Sequence, residues 1–462
     1  MIRLFNAYFP TRMVFLGVSE AFLVTVAFVA ASIIWIGAID ANLMLIYDGG
    51  LQKILLVSSI FMLCMYYFDL YDTLIFSNHR EVLTRLIQVL GTACLLLAIL
   101  YAAYPPLRLG RRIFVTGFVL GAICLAVWRK CFLLLNGSQK LAERAIILGA
   151  SPLTMSLIAE IQKREELGVR VLGYVGEEAS SGCAGLRALG AIDCLSELVR
   201  SERVARVIVA MAERRGKLPA TELLKLKARG VLIQDGADYF ESITGKVPIE
   251  AMRVSWLLFS PGFHPSRVRL LYKRIFSVAF AFLALVLASP LMAIIAFLIR
   301  LDSPGPVIYR QKRVGKDGKT FTLYKFRSMR DVADRGGKHA PAQEGDARIT
   351  RVGSWLRRTR LDEVPQLYNI LRGDMYFVGP RPFVPDQEED LAQQIPFYRQ
   401  RWMVKPGATG WAQVHRGYCA SLEDNAEKLA YDLFYIKNMS IGLDLLILFK
   451  TVKILILGRG GR

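Results

Sequence analysis

Four apolar stretches crowd the first third of the chain, at residues 14–38, 54–68, 86–103 and 113–135. A bilayer span needs ~20 such residues, so the pattern predicts a transmembrane four-helix bundle over 1–142, with a short second span and an interrupted fourth. Arg129 and Lys130 interrupt it. A charge at the bilayer centre costs roughly 2.5–3.5 kcal/mol, which places this pair at the cytoplasmic edge. Glu20, inside the first run, sits near an interface or faces a neighbouring helix. Arg3, Arg12, Arg80, Arg85, Lys140 and Arg144 agree with cytoplasmic ends, whereas Arg108, Arg111 and Arg112 disagree. No short apolar core with a small-residue cleavage site opens the chain, so the first run reads as a retained anchor.

From residue 143 the pattern changes to short β-rich runs, at 145–148, 169–175, 204–210 and 231–234, alternating with amphipathic helical segments. Strand and helix in alternation predict a Rossmann-like, doubly wound α/β middle domain over 143–262. Its first strand runs into Gly149-Ala150-Ser151-Pro152, which lacks the spaced glycines that admit a pyrophosphate. The domain is therefore read as regulatory or dimer-forming.

A fifth apolar run, 275–299, is long enough to cross a bilayer but carries Ser289 and Pro290 near its middle. Proline inside a helix removes a hydrogen bond and costs about 3 kcal/mol unless a bend is wanted. Arg267, Arg269, Lys273 and Arg274 precede the run and Arg300 follows it, so both ends suit the same headgroups. This favours a re-entrant helix over about 270–300 that breaks at Ser289-Pro290; a kinked crossing is the alternative. Beyond it, strand-like segments at 307–314 and 321–329 lead a C-terminal α+β domain, 263–462. The apolar stretch 443–457, edged by Lys450 and Lys453, fits an interfacial helix or a packed terminal one.

Composition adds the membrane's sign. Hydrophobic residues make up 53% of the 462, and the net charge is +20, which suits anionic lipid, nucleic acid or a phosphate-rich substrate. The apolar spans favour lipid, and no recognition helix or stacking platform favours nucleic acid. Seven scattered cysteines, among them Cys64, Cys94, Cys124 and Cys131 in apolar runs, show no zinc or disulfide spacing.

The chemistry concentrates in 360–382, RLDEVPQLYNILRGDMYFVGPRP. Asp362 and Glu363 stand ahead of a predicted short helix, 366–371, with Pro365 as its first residue and Gly373 closing it. Acids at a helix start are favoured for capping alone. An acid pair among arginines also suits phosphate chemistry. Arg351, Arg357, Arg358 and Arg360 approach the pair, and two prolines fix the backbone around Arg381. Strand alternation puts Lys325 and Arg327 on one face, and likewise Arg310 and Lys312, where they meet phosphates or anionic lipids.

The segments YRQKRVGKDGKTFTLYKFRSM, RLDEVPQLYNILRGDMYFVGPRP and KPGATGWAQV, in this order behind a Ser-Pro break, resemble the bacterial sugar transferase family, the monotopic polyprenyl-phosphate phosphoglycosyl transferases. The likeness covers about 268–461, and the preceding spans and Rossmann-like domain resemble its long, exopolysaccharide-initiating form. Val364, Tyr376-Phe377 and Ala408 depart from the residues common there. The resemblance implies transfer of a sugar 1-phosphate from a UDP-sugar to undecaprenyl phosphate, releasing UMP, as a first membrane step of exopolysaccharide or O-antigen assembly. It implies Asp362 as nucleophile forming a covalent phosphosugar intermediate, and Glu363 assisting in metal binding and in deprotonating the lipid phosphate. Mg²⁺ would be held by both acids. Arg381, Lys325, Arg327 and Arg360 are the expected substrate-binding residues, a homodimer the expected assembly, and the cytoplasmic face of the bacterial inner membrane the expected place of the catalytic domain. A membrane transporter or another Mg-dependent phosphohydrolase is the rival reading.

Overall fold

A computed structural model describes residues 1–71, 79–136, 142–176, 187–252, 254–260, 262–263, 266–330, 346, 348–417 and 421–457. Lys140 and the stretch 458–461 lie outside the described residues. The chain divides into two compact units, Met1–Ile2 with Tyr8–Tyr239 and Arg3–Ala7 with Phe240–Arg462. Two three-residue strands, β1 (Ile2–Leu4) and β2 (Ala7–Phe9), come first in sequence.

Four apolar helices follow in the first unit: α1 (Thr11–Ile46), α2 (Gly50–Tyr67), α3 (His79–Ala103) and α4 (Arg111–Asn136). Each is long and apolar enough to cross a membrane. Gly37 leaves helical geometry (φ 81°, ψ 164°) and breaks α1 where the apolar run of the sequence ends. Phe28, Phe61, Met65, Leu97 and Leu125 form a shared core. Gly117 lets α4 approach α1, because a Cβ there would stand 2.6 Å from the Phe28 ring. Arg129 does not simply mark an edge. It is buried, and its Nε stands 2.6 Å from Glu20 Oε1 on α1 while Nη1 donates to the Leu70 carbonyl at 3.0 Å. Tyr71 donates its hydroxyl to the same Glu20 carboxylate at 2.6 Å. A buried pair tolerates its desolvation only when both partners are also hydrogen-bonded, and here they are.

The first unit also holds a five-stranded sheet, β3 (Glu143–Leu148), β4 (Val169–Val175), β5 (Ala188–Gly190), β6 (Arg206–Val209) and β7 (Leu232–Asp235), in the order β5-β4-β3-β6-β7, parallel throughout. Helices α5 (Pro152–Gln162), α6 (Leu195–Ser201) and α7 (Ala220–Ala228) alternate with the strands. Ala145 to Leu148 are all buried, as expected for a central parallel strand covered on both faces. The four strands read from the sequence are present; β5, three residues at an edge, left no pattern to read. After β3 the chain turns at Gly149, whose φ of +104° and 2.7 Å clearance to the Met211 Cα admit no side chain. Ser151 caps α5 in a reciprocal box with Thr154, and its hydroxyl donates to the Ala210 carbonyl at 2.6 Å. The turn's hydroxyls thus serve the fold itself.

Helix α8 (Gly236–Thr244) carries the chain into the second unit, ahead of the boundary expected at 262/263. The segment from Phe240 belongs with the C-terminal residues because its polar groups do: Glu241 pairs with Lys437 at 2.9 Å, and Trp411 Nε1 donates to the Gly245 carbonyl at 2.9 Å. The short α9 (Val254–Phe259) precedes α10 (Arg267–Asp302), a 36-residue helix capped by Ser266 with Pro290 inside it. The hairpin β8 (Ile308–Val314) and β9 (Thr320–Phe326) follows in antiparallel register. After it come α11 (Arg351–Thr359), α12 (Gln366–Arg372), β10 (Tyr376–Val378), α13 (Pro385–Gln394), β11 (Gly407–Thr409), α14 (Trp411–His415), α15 (Leu422–Asn438) and α16 (Ile441–Ile456).

Glu20→Ala would leave Arg129 buried with no counter-charge, a loss of about 3–5 kcal/mol. The thermal melt of the full chain in detergent is expected to fall markedly, and Glu20→Ala with Arg129→Met is expected to recover part of the loss.

Candidate active site

The acid pair sits in a single 3-10 turn, Leu361–Glu363, between α11 and α12. Arg360 ends α11 in the left-handed conformation, φ 56°, which swings the chain so that the turn can form. Pro365 is the N-cap of α12, one position ahead of its expected place as first helical residue, and Gly373, at φ 99°, closes the helix as the sequence predicts. Cations face the C-terminal carbonyls of α12, as the helix dipole favours: Arg274 from α10 donates to the Leu371 carbonyl at 2.7 Å, and Lys405 to that of Gly373 at 2.6 Å. Asn369, fully buried, accepts from the Tyr324 N–H at 3.1 Å and donates to the Thr322 carbonyl at 2.7 Å. It stands in for a missing strand and fixes α12 against β9.

That attachment brings Lys325 of β9 to the acids. Its Nζ meets Glu363 Oε1 at 2.7 Å, and Arg381 Nη2 reaches the same oxygen at 2.9 Å. Arg381 arrives from the segment after β10, which is seated by close backbone contact. A Cβ on Gly407 would lie 2.0 Å from the Gly379 nitrogen, and one on Gly410 2.2 Å from the Gly379 oxygen. The glycines of the GPRP and KPGATG segments are needed for this approach of two chains.

The two carboxyls are driven in opposite directions. Burial, the largest influence on Asp362, raises its pKa, with Lys325 opposing and Glu363 adding to the rise. Burial would also raise Glu363, but Arg381, Lys325 and Arg360 overcome it and hold this carboxyl well below the usual range. Two neighbouring acids with separated affinities for a proton are a recurrent basis for divided roles. Asp362 is the more basic group, and Glu363 is the more firmly ionised of the two.

Lys325, Arg381 and Arg360 are thus brought to the acid pair, by contact or by charge. Arg327 is not. Strand β9 ends at Phe326, so the alternation that put Arg327 beside Lys325 stops one residue short. Its buried guanidinium donates to the Ser303 carbonyl at 2.6 Å and the Pro304 carbonyl at 2.9 Å, closing the end of α10. Gly305 leaves room for it, since a Cβ there would stand 2.3 Å from Arg327 Nη1. Ser289 and Pro290 lie within α10, where the Ser289 hydroxyl bonds back to the Val286 carbonyl at 2.8 Å. Arg310 lies over the Tyr324 ring, with 5.9 Å from the guanidinium carbon to the ring centre.

Sequence reasoning passed over Arg313 of β8, whose electrostatics are coupled to Arg381 and Glu363. It donates to the Pro382 carbonyl at 3.2 Å, and burial together with the charge of Arg381 pushes its pKa down to about 10. Alternation puts it on the face opposite the apolar Val314, so the strand pattern gave no signal for its role. Among the described residues no three of His, Cys, Asp and Glu converge as metal ligands.

The model for bacterial sugar transferases matches residues 268–458, and that for a CoA-binding domain matches 66–218. The chain is 44% identical over 222 residues to a UDP-N-acetylgalactosamine-undecaprenyl-phosphate N-acetylgalactosaminephosphotransferase of Aeromonas hydrophila, covering 48% of this chain and 52% of that protein. It is 36% identical over 316 residues to a UDP-glucose:undecaprenyl-phosphate glucose-1-phosphate transferase of Klebsiella pneumoniae, 67% of each. An exopolysaccharide production protein, PSS, of Rhizobium leguminosarum bv. phaseoli is 43% identical over 40% of this chain and 94% of its own length. The chain therefore spans between about half and two thirds of the two longer relatives.

Gly407→Ala is expected to destabilise the fold by about 3 kcal/mol, the upper end for forced overpacking. Gly417→Ala, where nothing lies within 4 Å of the added Cβ, is the control, and its melt is expected to match the wild type.

Proposed function

The chain belongs to the bacterial sugar transferase family, and on that premise we propose that it transfers a sugar 1-phosphate from a UDP-sugar to undecaprenyl phosphate. The observation that carries this reading is the acid pair itself, one carboxyl raised and one lowered, with Lys325 and Arg381 on the second. Asp362 attacks the sugar-side phosphorus of the donor. A bond forms from its carboxylate oxygen to phosphorus, the phosphoanhydride bond breaks, and UMP leaves with the electron pair. An oxygen of the lipid phosphate then attacks the same phosphorus and frees Asp362, giving undecaprenyl-diphosphate-sugar. Splitting the transfer lets a soluble donor leave before the lipid reacts.

Glu363 is poorly suited to deprotonate anything, because a carboxyl held so far down is a weak base. Its role in this reading is to gather Lys325 and Arg381 where charge develops on the phosphoryl oxygens. Mg²⁺ commonly takes one or two carboxylates and completes its shell with substrate phosphates and water, and Asp362 with Glu363 meets that minimum. When bound there, the ion would reduce repulsion between the donor diphosphate and the acids. Arg360 and Arg381 supply further positive charge from the protein.

The acceptor is a lipid, and α10 suits a surface that receives one. Its buried residues fall in two stripes, Lys273, Ser277 and Ala281 before Pro290 and Ile295 and Ile299 after it, with none between. Ala281 packs with Leu323, Ile370 and Met375, while Ile295 and Ile299 pack with Phe326 and Leu356. Both ends belong to one domain and the middle is bare, which supports a re-entrant helix bent at Ser289-Pro290 rather than a crossing. From the family resemblance we further propose that the domain works at the cytoplasmic face of the inner membrane, as a homodimer. The transporter alternative loses ground, since Glu20 and Arg129 neutralise each other in place of lining a path.

Full-length protein in lipid, given undecaprenyl phosphate, Mg²⁺ and either UDP-glucose or UDP-N-acetylgalactosamine, is expected to release UMP only when the lipid is present. Release of UDP, or none that depends on lipid, overturns the proposal. Asp362→Asn is expected to lower turnover at least about 10³-fold and abolish the phosphosugar adduct seen by intact-mass spectrometry, with the melt unchanged. Because Asp362 attacks as the anion and its pKa is raised, activity is expected to fall, as pH is lowered, above the ordinary carboxylate range of about 4. Lys325 lowers that pKa, so Lys325→Met should move the acid limb of kcat/KM to still higher pH; a downward shift would remove Asp362 as the titrating group.

A further inference from the structure

Two prolines flank Arg381, and the segment Pro380-Arg381-Pro382-Phe383 makes no regular structure, yet each of its four carbonyls is gripped from elsewhere. Gly407 N–H donates to Pro380 O at 3.0 Å and Val314 N–H to Phe383 O at 3.0 Å. Arg313 Nη1 donates to Pro382 O at 3.2 Å, and Arg401 Nη2 to Arg381 O at 2.9 Å. Four successive carbonyls held by four different donors leave the segment one position.

Arg401 stands out among these donors. It is buried, with its side chain 4% exposed, and its hydrogen bonds all go to protein groups. The same guanidinium also donates to Asp432 Oδ2 on α15 at 2.9 Å, to the Tyr398 hydroxyl at 2.6 Å and to Glu388 Oε1 on α13 at 3.4 Å. It lies over the Phe383 ring at 4.9 Å. One planar fork therefore ties residues 381 and 383 to α13 and α15 together. Burying a guanidinium with two carboxylates carries a large desolvation cost, and burial is felt at Asp432, whose pKa it raises to about 6 despite Arg401. A neutral hydrophobic filler would stabilise this site as well or better. What it could not do is donate to the Arg381 carbonyl while bonding three other groups.

We propose that Arg401 is a positioning residue for donor capture: it never touches the substrate, but by holding the Arg381 backbone it aims the Arg381 guanidinium at the donor diphosphate beside Glu363. The inference rests on the transferase reading above. Lysine cannot reproduce it, being a point charge with no fork.

The test is a double-mutant cycle in the full-length protein, Arg401→Lys and Arg381→Ala singly and together, with two readouts. Donor affinity is measured by titrating the UDP-sugar that supports turnover into each variant carrying Asp362→Asn, and KM and kcat are measured with Asp362 intact. Arg401→Lys is expected to weaken donor binding and raise KM about tenfold, the worth of one charge-assisted hydrogen bond, with a smaller change in kcat. In the Arg381→Ala background it is expected to do almost nothing further. Equal losses in both backgrounds, or a loss in kcat alone, would overturn the proposal. If Arg401→Lys melts too low to assay, Asp432→Asn loosens the same guanidinium and should raise KM less steeply, again only where Arg381 is present. Failure of the wild type to release UMP is a different result: it overturns the transferase reading, which the cycle does not address.

Discussion

Glu363 Oε1 accepts from Lys325 on one side and Arg381 on the other, and three separate pieces of chain meet at that oxygen: strand β9, the turn before α12, and the segment after β10. The rest of the site follows from the constraint. Two cations drawn to one carboxylate lower its proton affinity and also leave positive potential beside Asp362, where burial alone would favour a neutral acid. The opposing pushes leave Asp362 more basic than a surface carboxylate. Asn369 fixes α12 against β9, and the glycines at 379, 407 and 410 seat the segment after β10 closely against the β11 stretch.

Helix α10 is bound to the same domain by polar as well as apolar contacts. Lys273 reaches Asp444 on α16 at 2.7 Å, and Tyr435 on α15 donates to Asp444 at 2.6 Å and to the Val378 carbonyl at 3.2 Å. The strand that leads to Arg381 and the long apolar helix α10 therefore share one buried polar cluster. Arg274, one residue along, caps the helix that follows the acid pair. The anchoring of α10 and the position of the acids are thus tied through neighbouring residues on one helix turn.

How much of this was legible in the sequence depends on the range of the cause. The bounds of α12 come from Pro365 and Gly373, and the central strands from unbroken apolar runs; both are local, and both read correctly. Lys325 was legible because β9 alternates up to it, and Arg327 was misplaced because the strand stops between them. The Arg401 cluster was invisible for another reason. Its acids lie 13 and 31 residues away on two other helices, so each charge looks solvated when taken alone. A signal was nevertheless present, since Asp432 stands in LAYDLFYI and Asp444 in IGLDLLIL, lone acids in apolar runs. An acid so placed needs a buried cation, and the partner had to come from far along the chain.

Glu20 lies on the first apolar helix and Arg129 on the fourth. During synthesis the acid therefore enters its apolar surroundings long before its counter-charge has been made. A chain halted after three spans holds an unmatched carboxylate, which is costly in lipid. The pair therefore couples the first apolar helix to the fourth: each buried charge is matched only once both helices are present.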